Sequence, residues 1–203
     1  MILIPQKLGC VLLALFSSSS FAFDDRLVSS DKWVKKYDSQ FRKYAKHYFG
    51  AFIDWRWFKA QGIAESDLRP DVTSAKNAYG IMQITPRTFN EIRKKGPGFS
   101  EAQIKDYRWN IAAGIYYDRY LFDKFDHIKN PVERLNYTFG SYNAGYSRIN
   151  KSINREKGSW PKWSETQGLV PNETFHYVKR IHKVVTSPTT NLTPPPSNPW
   201  LYR

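Results

Sequence analysis

The sequence is almost free of cysteine. Its single cysteine, Cys10, lies in an N-terminal segment that we expect to be removed from the mature protein. Without that segment no thiol remains, which excludes disulfide bonds and a cysteine nucleophile. The fold must then be held together by its hydrophobic core, and 203 residues suffice for one domain with such a core.

Sequence signals for metals, cofactors and phosphates are also missing. The 4 histidines show no spacing typical of metal ligands; they are His47, His127, His176 and His182. The chain has neither a glycine-rich phosphate loop nor the nucleophile motif of a serine hydrolase. We therefore predict a protein that uses no cofactor and no metal.

Long apolar runs are confined to the N-terminus. Residues 8–16 are largely apolar, Lys7 precedes them, and Ser20-Phe21-Ala22 is a small-x-small cleavage site. This pattern predicts a secretory signal peptide over residues 1–22. An uncleaved anchor is the alternative, but the run is short for a bilayer and no later segment could span one. We expect a periplasmic or secreted protein of the bacterial envelope, with no stable membrane span after cleavage.

Acidic residues are few compared with basic ones. The chain has 18 Asp and Glu against 31 Lys and Arg, which gives a net charge of +13. This balance favours an anionic partner, either nucleic acid, an acidic membrane surface or a bacterial wall polymer, although a solubilising surface would also explain it. Aromatic residues, in contrast, are abundant, with 7 Trp, 13 Tyr and 13 Phe. Those outside the core can line a groove whose rings stack on bases or sugars.

No segment alternates between apolar and polar residues as a half-buried strand does. The sequence therefore predicts one mostly α-helical domain over residues 24–186. Residues 71–78 are polar and predict a loop, and residues 151–171 predict an ordered loop or insertion. The proline-rich residues 187–203 cannot form a core and predict a disordered tail.

Caps and apolar periodicity predict the helices within this domain. Thr85-Pro86 with Gly96 brackets one helix, and Asn130-Pro131 opens another that continues into Tyr142. Ser100 with Gln103 forms a further capping box. The remaining predicted helices cover residues 31–48 with Ser30 or Asp31 as N-cap, 54–65, 109–122, and 172–185 with Asn172 as N-cap and Glu173 as a first-turn acid.

Glu65 is the residue whose surroundings suggest chemistry. It ends a predicted helix that follows an aromatic-rich segment containing Phe52, Ile53, Trp55, Trp57 and Phe58. Apolar walls disfavour the charged form of a carboxylic acid and raise its pKa. A carboxyl group that keeps its proton near neutral pH can act as a general acid on a bond between sugars. The alternative is a surface glutamate at a helix end.

Four short motifs follow one another along the domain: Glu65-Ser66-Asp67 with Pro70, Gly80-Ile81-Met82-Gln83, Tyr142-Asn143-Ala144-Gly145, and Glu173-Thr174 with Tyr177-Val178. Each is weak alone, but their order and spacing form a specific set. Over roughly residues 50–185 the chain resembles the catalytic domain of the soluble lytic transglycosylase (SLT) family. The resemblance implies a lysozyme-like helical domain, similar to goose-type lysozyme, that cleaves peptidoglycan.

The resemblance assigns the role of catalytic acid and then base to Glu65. It implies cleavage of the β-1,4 bond between N-acetylmuramic acid (MurNAc) and N-acetylglucosamine (GlcNAc) without water, which leaves a 1,6-anhydro end. Most glycosidases instead need two carboxylates. Asp67, Asp71 and Asp54 are the candidates for a second one, but none matches a nucleophile position of the family. Asp67 is interpreted as a local hydrogen-bond acceptor.

The resemblance also implies a set of substrate-binding residues, namely Ser66, Gln83, Tyr142, Asn143 and Tyr177. Ser66 would donate on the leaving-group side, while Gln83 and Asn143 would bind N-acetyl groups. Tyr142 would line the groove, and Tyr177 would orient the catalytic carboxyl group. Structural alternatives remain: Ser66 and Gln83 can bond to the backbone, and Tyr142 can belong to the core.

Three other functions compete with a lytic transglycosylase that acts on peptidoglycan glycan strands. A hydrolase on the same fold needs the second carboxylate. A non-catalytic wall-binding module does not need Glu65, and a nucleic-acid-binding protein does not need a signal peptide. A protein partner in the envelope or in a secretion machine is left open by the sequence.

Overall fold

The computed structural model of the protein describes residues 27–51, 53–153 and 160–187. These ranges form seven α-helices, with two isolated bridges from Tyr79 to Thr73 and to Ile84 in place of a sheet. The mostly α-helical fold is therefore confirmed. The helices are α1 (Asp38–Phe49), α2 (Arg56–Ser66), α3 (Pro86–Lys95), α4 (Tyr107–Asp123), α5 (Pro131–Ala144), α6 (Tyr146–Ser152) and α7 (Asn172–Thr186), with 3₁₀ turns at Leu27–Ser29 and Trp163–Thr166.

Some predictions fall on parts of the chain that are not described. The signal segment 1–22, Phe52 and the tail beyond Ser187 lie outside the described residues. In the described part, none of the helices has the length and apolar character needed to cross a membrane.

Two helix starts follow the capping signals in the sequence. Thr85 Oγ1 accepts a hydrogen bond from the Thr88 backbone N–H, and Pro86 is the first residue of α3. Asn130 Oδ1 accepts bonds from the backbone N–H groups at the start of α5, where Pro131 comes first. These side chains satisfy donors that a helix start otherwise leaves unpaired, so both predictions are confirmed.

Other capping predictions are wrong. The first helix begins at Asp38 rather than near residue 31, because Ser30 Oγ donates to the Leu27 carbonyl and Asp31 pairs with Lys35 at 2.6 Å instead of capping. Ser100 starts no helix; α4 begins later, where Asp106 accepts a bond from the Arg108 N–H. In the first segment the Ser30 hydroxyl bonds to a local carbonyl instead, so the presence of a capping residue type did not by itself fix the helix start.

The C-terminal part of the domain also differs from prediction. Asn172 is the first residue of α7 and makes no capping bond, while Pro171 precedes it. Residues 151–171 were predicted as an ordered loop or insertion, and residues 154–159 of this range lie outside the described residues. In the rest, α6 extends to Ser152 and Trp163–Thr166 forms a 3₁₀ turn. The indole of Trp163 packs against Gly140, where a Cβ atom would lie 2.3 Å from the ring.

The core surrounds α2, which is buried along most of its length from Phe58 to Ala64. It packs against α1 and α7, and α4 packs against α1 and α5. Even Lys59 on α2 is fully buried, and its Nζ lies 2.7 Å from Asp38 Oδ1 on α1. This burial fixes the C-terminal end of α2, where Glu65 lies.

Candidate active site around Glu65

Glu65 lies in the last turn of α2. The helix ends because Asp67 and Leu68 adopt left-handed backbone angles, with φ of 54° and 60°. The Asp67 N–H still bonds back to the carbonyls of Gly62 and Ile63, and the Leu68 side chain is buried. The turn after Ser66 therefore places Glu65 at the C-terminal end of a buried helix.

The surroundings of Glu65 favour its protonated form. The residue is only partly exposed, and burial of the carboxyl group raises its pKa to about 7. A hydrogen bond from Tyr177 and the charge of Arg180 lower this pKa, whereas the charge of Glu173 raises it. Near neutral pH the group can therefore exist in both forms, as an acid and as a base.

Tyr177 on α7 holds one oxygen of this carboxyl group. Its hydroxyl donates to Glu65 Oε1 across 2.6 Å. Burial and the neighbouring Glu65 raise the pKa of Tyr177 well above its ordinary value, so the phenol stays neutral and remains a donor. Since Tyr177 occupies Oε1, the second oxygen of Glu65 can carry the reactive proton.

Arg180 is one turn further along α7 and holds the chain on both sides of Glu65. Its Nη2 donates to Asp67 Oδ1 at 2.8 Å and to the Ile63 carbonyl at 3.3 Å. Asp67 is thus a hydrogen-bond acceptor, as interpreted from the sequence, and its partner is a cation on another helix. The Asp67 carboxylate is therefore paired with a cation on α7.

The loop with Gly80-Ile81-Met82-Gln83 is fixed by Asn110, which is fully buried on α4. Its Oδ1 accepts from the Met82 N–H at 2.8 Å and its Nδ2 donates to the Tyr79 carbonyl at 2.9 Å. Gly80 has φ 72°, and a Cβ atom there would lie 2.8 Å from the Asn110 amide. A side chain at position 80 would therefore displace the residue that holds the loop.

The side-chain amide nitrogen of Gln83 is engaged in hydrogen bonds within its own loop. Its Nε2 donates to the carbonyls of Gly80 at 2.9 Å and of Val72 at 3.2 Å. Among the described residues, nothing donates to its Oε1. The amide oxygen is consequently the part of Gln83 that can serve a ligand.

The predicted role of Ser66 does not fit its position. The residue is fully buried, and its hydroxyl donates to the Ile81 carbonyl at 2.9 Å. The contact joins the end of α2 to the loop that contains Gln83. Ser66 thus has the backbone-bonding role that the sequence left as the alternative, and its hydroxyl is not placed to contact a sugar.

Tyr142 and Asn143 connect the end of α5 to the same region. The Tyr142 hydroxyl donates to the Met82 carbonyl at 2.7 Å, and burial raises its pKa well above the ordinary value. Asn143 is exposed, and its Oδ1 accepts from Thr174 Oγ1 on α7 at 2.7 Å. The third and fourth sequence motifs therefore meet here, with the Asn143 Nδ2 group still available as a donor.

Sequence reasoning missed two acids near Glu65. Asp118 on α4 is fully buried, accepts a bond from Gln61 Nε2 at 3.1 Å, and interacts electrostatically with Glu65. Its position seven residues after Ile111 on an apolar helix face is a sequence signal that could have revealed it. Glu173 was interpreted only as a helix N-terminal acid, yet its charge acts on Glu65.

The other acids considered as a second carboxylate have different surroundings. Asp54 accepts bonds from the Arg56 N–H at 3.0 Å and from its Nη1 at 2.8 Å. Asp71 is exposed beside a cavity of about 480 Å³ that Lys105 and Arg108 also line. Within the described ranges, no three His, Cys, Asp or Glu side chains converge as metal ligands would.

Comparison with known proteins covers part of this site, because Glu65 and Gln83 lie within the matched residues and Tyr177 lies beyond them. The model of the family described as Transglycosylase SLT domain matches residues 39–163. Two curated relatives are named membrane-bound lytic murein transglycosylase F: one from Pseudomonas putida is 31% identical over 141 residues, covering 68% of this chain and 27% of that protein. One from Desulfosudis oleivorans is 29% identical over 130 residues, covering 61% of this chain and 27% of that protein. The chain thus spans about a quarter of the length of these relatives.

Solved structures give the same picture. The 70 kDa soluble lytic transglycosylase of Escherichia coli is 27% identical, with a TM-score of 0.60, and the match covers 73% of this chain and 23% of that one. A complex of the 70 kDa soluble lytic transglycosylase with bulgecin A is 28% identical, with a TM-score of 0.59, over 72% of this chain and 23% of that one. The described helices therefore have the lysozyme-like arrangement that the sequence predicted.

Proposed function

Since the chain belongs to the transglycosylase SLT domain family, we propose that it is a lytic transglycosylase that cleaves the glycan strands of peptidoglycan. Two longer relatives carry this activity in their names. Its main support in the site itself is Glu65, whose pKa is raised to about 7 and whose Oε1 is held by Tyr177. The bond cleaved is the β-1,4 link between MurNAc and GlcNAc.

In the first step Glu65 acts as the acid. Its proton passes to the oxygen between MurNAc C1 and GlcNAc, the C1–O bond breaks, and GlcNAc leaves with a free 4-hydroxyl group. Positive charge develops at C1 and the ring oxygen. The Glu65 carboxylate produced in this step is stabilised by the Tyr177 hydroxyl and by the nearby Arg180.

In the second step the same group acts as the base. The carboxylate takes the proton of the MurNAc C6 hydroxyl, and O6 bonds to C1 to close a 1,6-anhydro ring. No water is consumed, and Glu65 regains its proton for the next cycle. The attacking hydroxyl and C1 belong to one sugar, so proximity favours this ring closure over attack by a separate molecule.

Substrate binding uses the groups around Glu65 that have unused hydrogen-bonding capacity. Gln83 Oε1 accepts from an N-acetyl N–H, and Asn143 Nδ2 donates to a carbonyl. The ring of Tyr142, rather than its hydroxyl, would contact a sugar, since the hydroxyl is already bonded to the Met82 carbonyl. Ser66 holds the loop that contains Gln83 rather than binding sugar.

One observation favours a second candidate, a lysozyme-type hydrolase. The Glu173 carboxylate is near enough to raise the pKa of Glu65, and hydrolases of this class place a second carboxylate about 5–9.5 Å from the acid. In such an enzyme Glu173 would activate water. The two candidates therefore differ in whether Glu173 is needed and in the ends of the products.

We place this activity in the bacterial envelope, because the substrate lies there and the sequence predicts a secretory signal over residues 1–22. Cell fractionation tests the location. The mature protein should appear in the periplasm or the medium, with residues 1–22 absent by mass spectrometry of the N-terminal peptide. Recovery of the uncleaved chain in the cytoplasm would contradict it.

The decisive experiment is mass spectrometry of the fragments released from purified peptidoglycan, with Glu65→Gln beside the unmodified protein. Fragments lighter by one water than hydrolysis products, and absent with Glu65→Gln, support the lytic transglycosylase. Ordinary reducing ends support the hydrolase. If no fragments appear although the protein still pellets with the wall, the enzymatic proposal fails.

A further inference from the structure

Three side chains of α7 act on the catalytic carboxyl group from one face of the helix. Glu173, Tyr177 and Arg180 are four and three residues apart, so they share that face. The Tyr177 hydroxyl bonds to Glu65 directly, whereas Glu173 and Arg180 act on it through their charges. The proposed reaction uses Arg180 only as a nearby positive charge, and it gives Asp67, the ion-pair partner of Arg180, no role.

The guanidinium group of Arg180 is anchored to α2 and to the turn that follows it, on both sides of Glu65. Its Nη2 donates to the Ile63 carbonyl at 3.3 Å, two residues before Glu65, and to Asp67 Oδ1 at 2.8 Å, two residues after it. The Arg180 and Asp67 side chains are only 19% and 33% exposed. Water and salt therefore screen this pair less than they screen an ion pair on the open surface.

These two acceptors keep Arg180 from pairing with the catalytic carboxyl group itself. In the described part of the chain Arg180 forms its ion pair with Asp67 and none with Glu65, although its charge still acts on Glu65. A guanidinium group in direct contact lowers the pKa of a carboxyl group by about 1–3. Such a contact would cancel much of the rise from 4.5 to about 7 in the pKa of Glu65. Glu65 would then be ionised at neutral pH and could not act as the acid in the first step.

We propose that Asp67 is a positioning residue that holds Arg180 beside Glu65 rather than on it. Asp67 competes with Glu65 for the guanidinium group. Arg180 can therefore help the Glu65 carboxylate to form between the two proton transfers without keeping it ionised. The inference rests on the proposed function for the reaction, but the titration of Glu65 that tests it needs no substrate.

The backbone at position 67 permits a substitution that removes the acceptor and keeps the turn. Asp67 has a left-handed φ of 54°, and its N–H bonds back to the carbonyls of Gly62 and Ile63. Glycine is the residue that most often ends a helix in this conformation. Asp67→Gly should therefore fold normally while it releases Arg180. Asp67→Asn removes the negative charge but keeps an oxygen that can accept from Arg180.

The test follows the Glu65 carboxyl carbon by NMR in protein with isotope-labelled glutamate, and the signal is assigned by its loss in Glu65→Gln. Asp67→Gly should lower the midpoint of the Glu65 titration by about 1 pH unit, and Asp67→Asn should lower it less. Arg180→Gln should raise the midpoint. In the Arg180→Gln background the effect of Asp67→Gly should be much smaller, because no guanidinium group is left to release. Asp106→Asn is the matched control, since Asp106 pairs with Arg108 at 2.7 Å, and it should leave the midpoint unchanged.

Initial rates on purified peptidoglycan give a second readout. A midpoint lower by about 1 unit reduces the protonated fraction of Glu65 at pH 7 roughly fivefold. Turnover by Asp67→Gly at pH 7 should fall by the same factor, and the high-pH limb of its rate profile should move to lower pH. A merely structural role of Asp67 would lower the rate at every pH without moving this limb.

The proposal is overturned if the midpoint of Glu65 stays constant or rises in Asp67→Gly. It is also overturned if Asp67→Gly lowers the midpoint equally with and without Arg180, since the released guanidinium group would then not be the cause. A protein that shows the expected midpoints but releases no fragments from peptidoglycan would reject the proposed enzyme and still support the competition between Asp67 and Glu65 for Arg180.

Discussion

The Tyr177 hydroxyl donates to Oε1 of Glu65 at 2.6 Å, although the two residues are 112 positions apart in the sequence. The bond exists because α7 packs directly against α2. It fixes the orientation of the carboxyl group and stabilises its charged form, while burial acts in the opposite direction. The proton affinity of Glu65 is therefore a balance between these two effects.

Tyr177→Phe should shift that balance toward the protonated acid. The hydrogen bond from Tyr177 lowers the pKa of Glu65, so its loss raises this pKa and moves the pH–rate profile to higher pH. The free energy of unfolding should fall by about 1 kcal/mol. The profile is measured as initial rates on purified peptidoglycan, with Tyr44→Phe on α1 as the control. An unchanged profile would contradict a direct role of the hydroxyl.

Glu65→Gln should change how stability depends on pH. In the folded protein the pKa of Glu65 is about 7, above the ordinary value of 4.5. A raised folded-state pKa stabilises the fold fully below about pH 4.5 and loses this contribution as pH rises through 7. The unmodified protein should therefore lose up to about 3 kcal/mol relative to Glu65→Gln between pH 4.5 and 8. Thermal unfolding at several pH values measures this; a constant difference between the two proteins would count against the raised pKa.

Local features of the fold, such as helix caps and helix ends, could be predicted from the sequence. Thr85 and Asn130 cap their helices because each is followed by a proline and bonds to backbone groups within three residues. The sequence also predicts the end of α2 near Glu65, because an apolar helical segment precedes Glu65 and Pro70 follows it. These features depend on neighbours along the chain, which a sequence displays directly.

Contacts between distant segments could not be derived in the same way. Tyr177 was assigned to the site only through the family resemblance. For Ser66 the sequence left both a sugar-binding and a backbone-bonding role open, because its partner, the Ile81 carbonyl, lies in another motif. Asp118 was overlooked because a single acid in an apolar helix has no meaning until Gln61 is known to face it. Tertiary packing decides which polar groups are buried and which remain available.

Asp118→Asn should stabilise the protein at high pH. Burial raises the pKa of Asp118 well above its ordinary value of 3.8, so the folded protein loses stability as pH rises above that value and the acid is forced to ionise. The amide cannot ionise, and it can also donate to Gln61 Oε1, which accepts no bond from the described residues. We expect a gain of about 1 kcal/mol or more at pH 8 and a smaller gain at pH 5.

Denaturant unfolding at the two pH values tests this expectation. Asp123→Asn on the exposed side of α4 is the control, since its carboxylate pairs with Arg119 at the surface. A gain for Asp118→Asn that is equal at both pH values would mean that Asp118 does not hold a proton in the folded protein.

Glu173→Gln separates the two catalytic candidates. If Glu65 works alone, the substitution only removes a negative charge that raises the pKa of Glu65. That pKa then falls, the high-pH limb of the rate profile moves to lower pH, and turnover at pH 6 is largely retained. If Glu173 activates water, turnover should fall by about 10²–10⁴ at every pH. Rates and product masses are measured together, with the exposed Glu101→Gln as the control. Retained turnover with anhydro products would assign both proton transfers to Glu65, because the variant has no carboxylate at position 173 that could activate water.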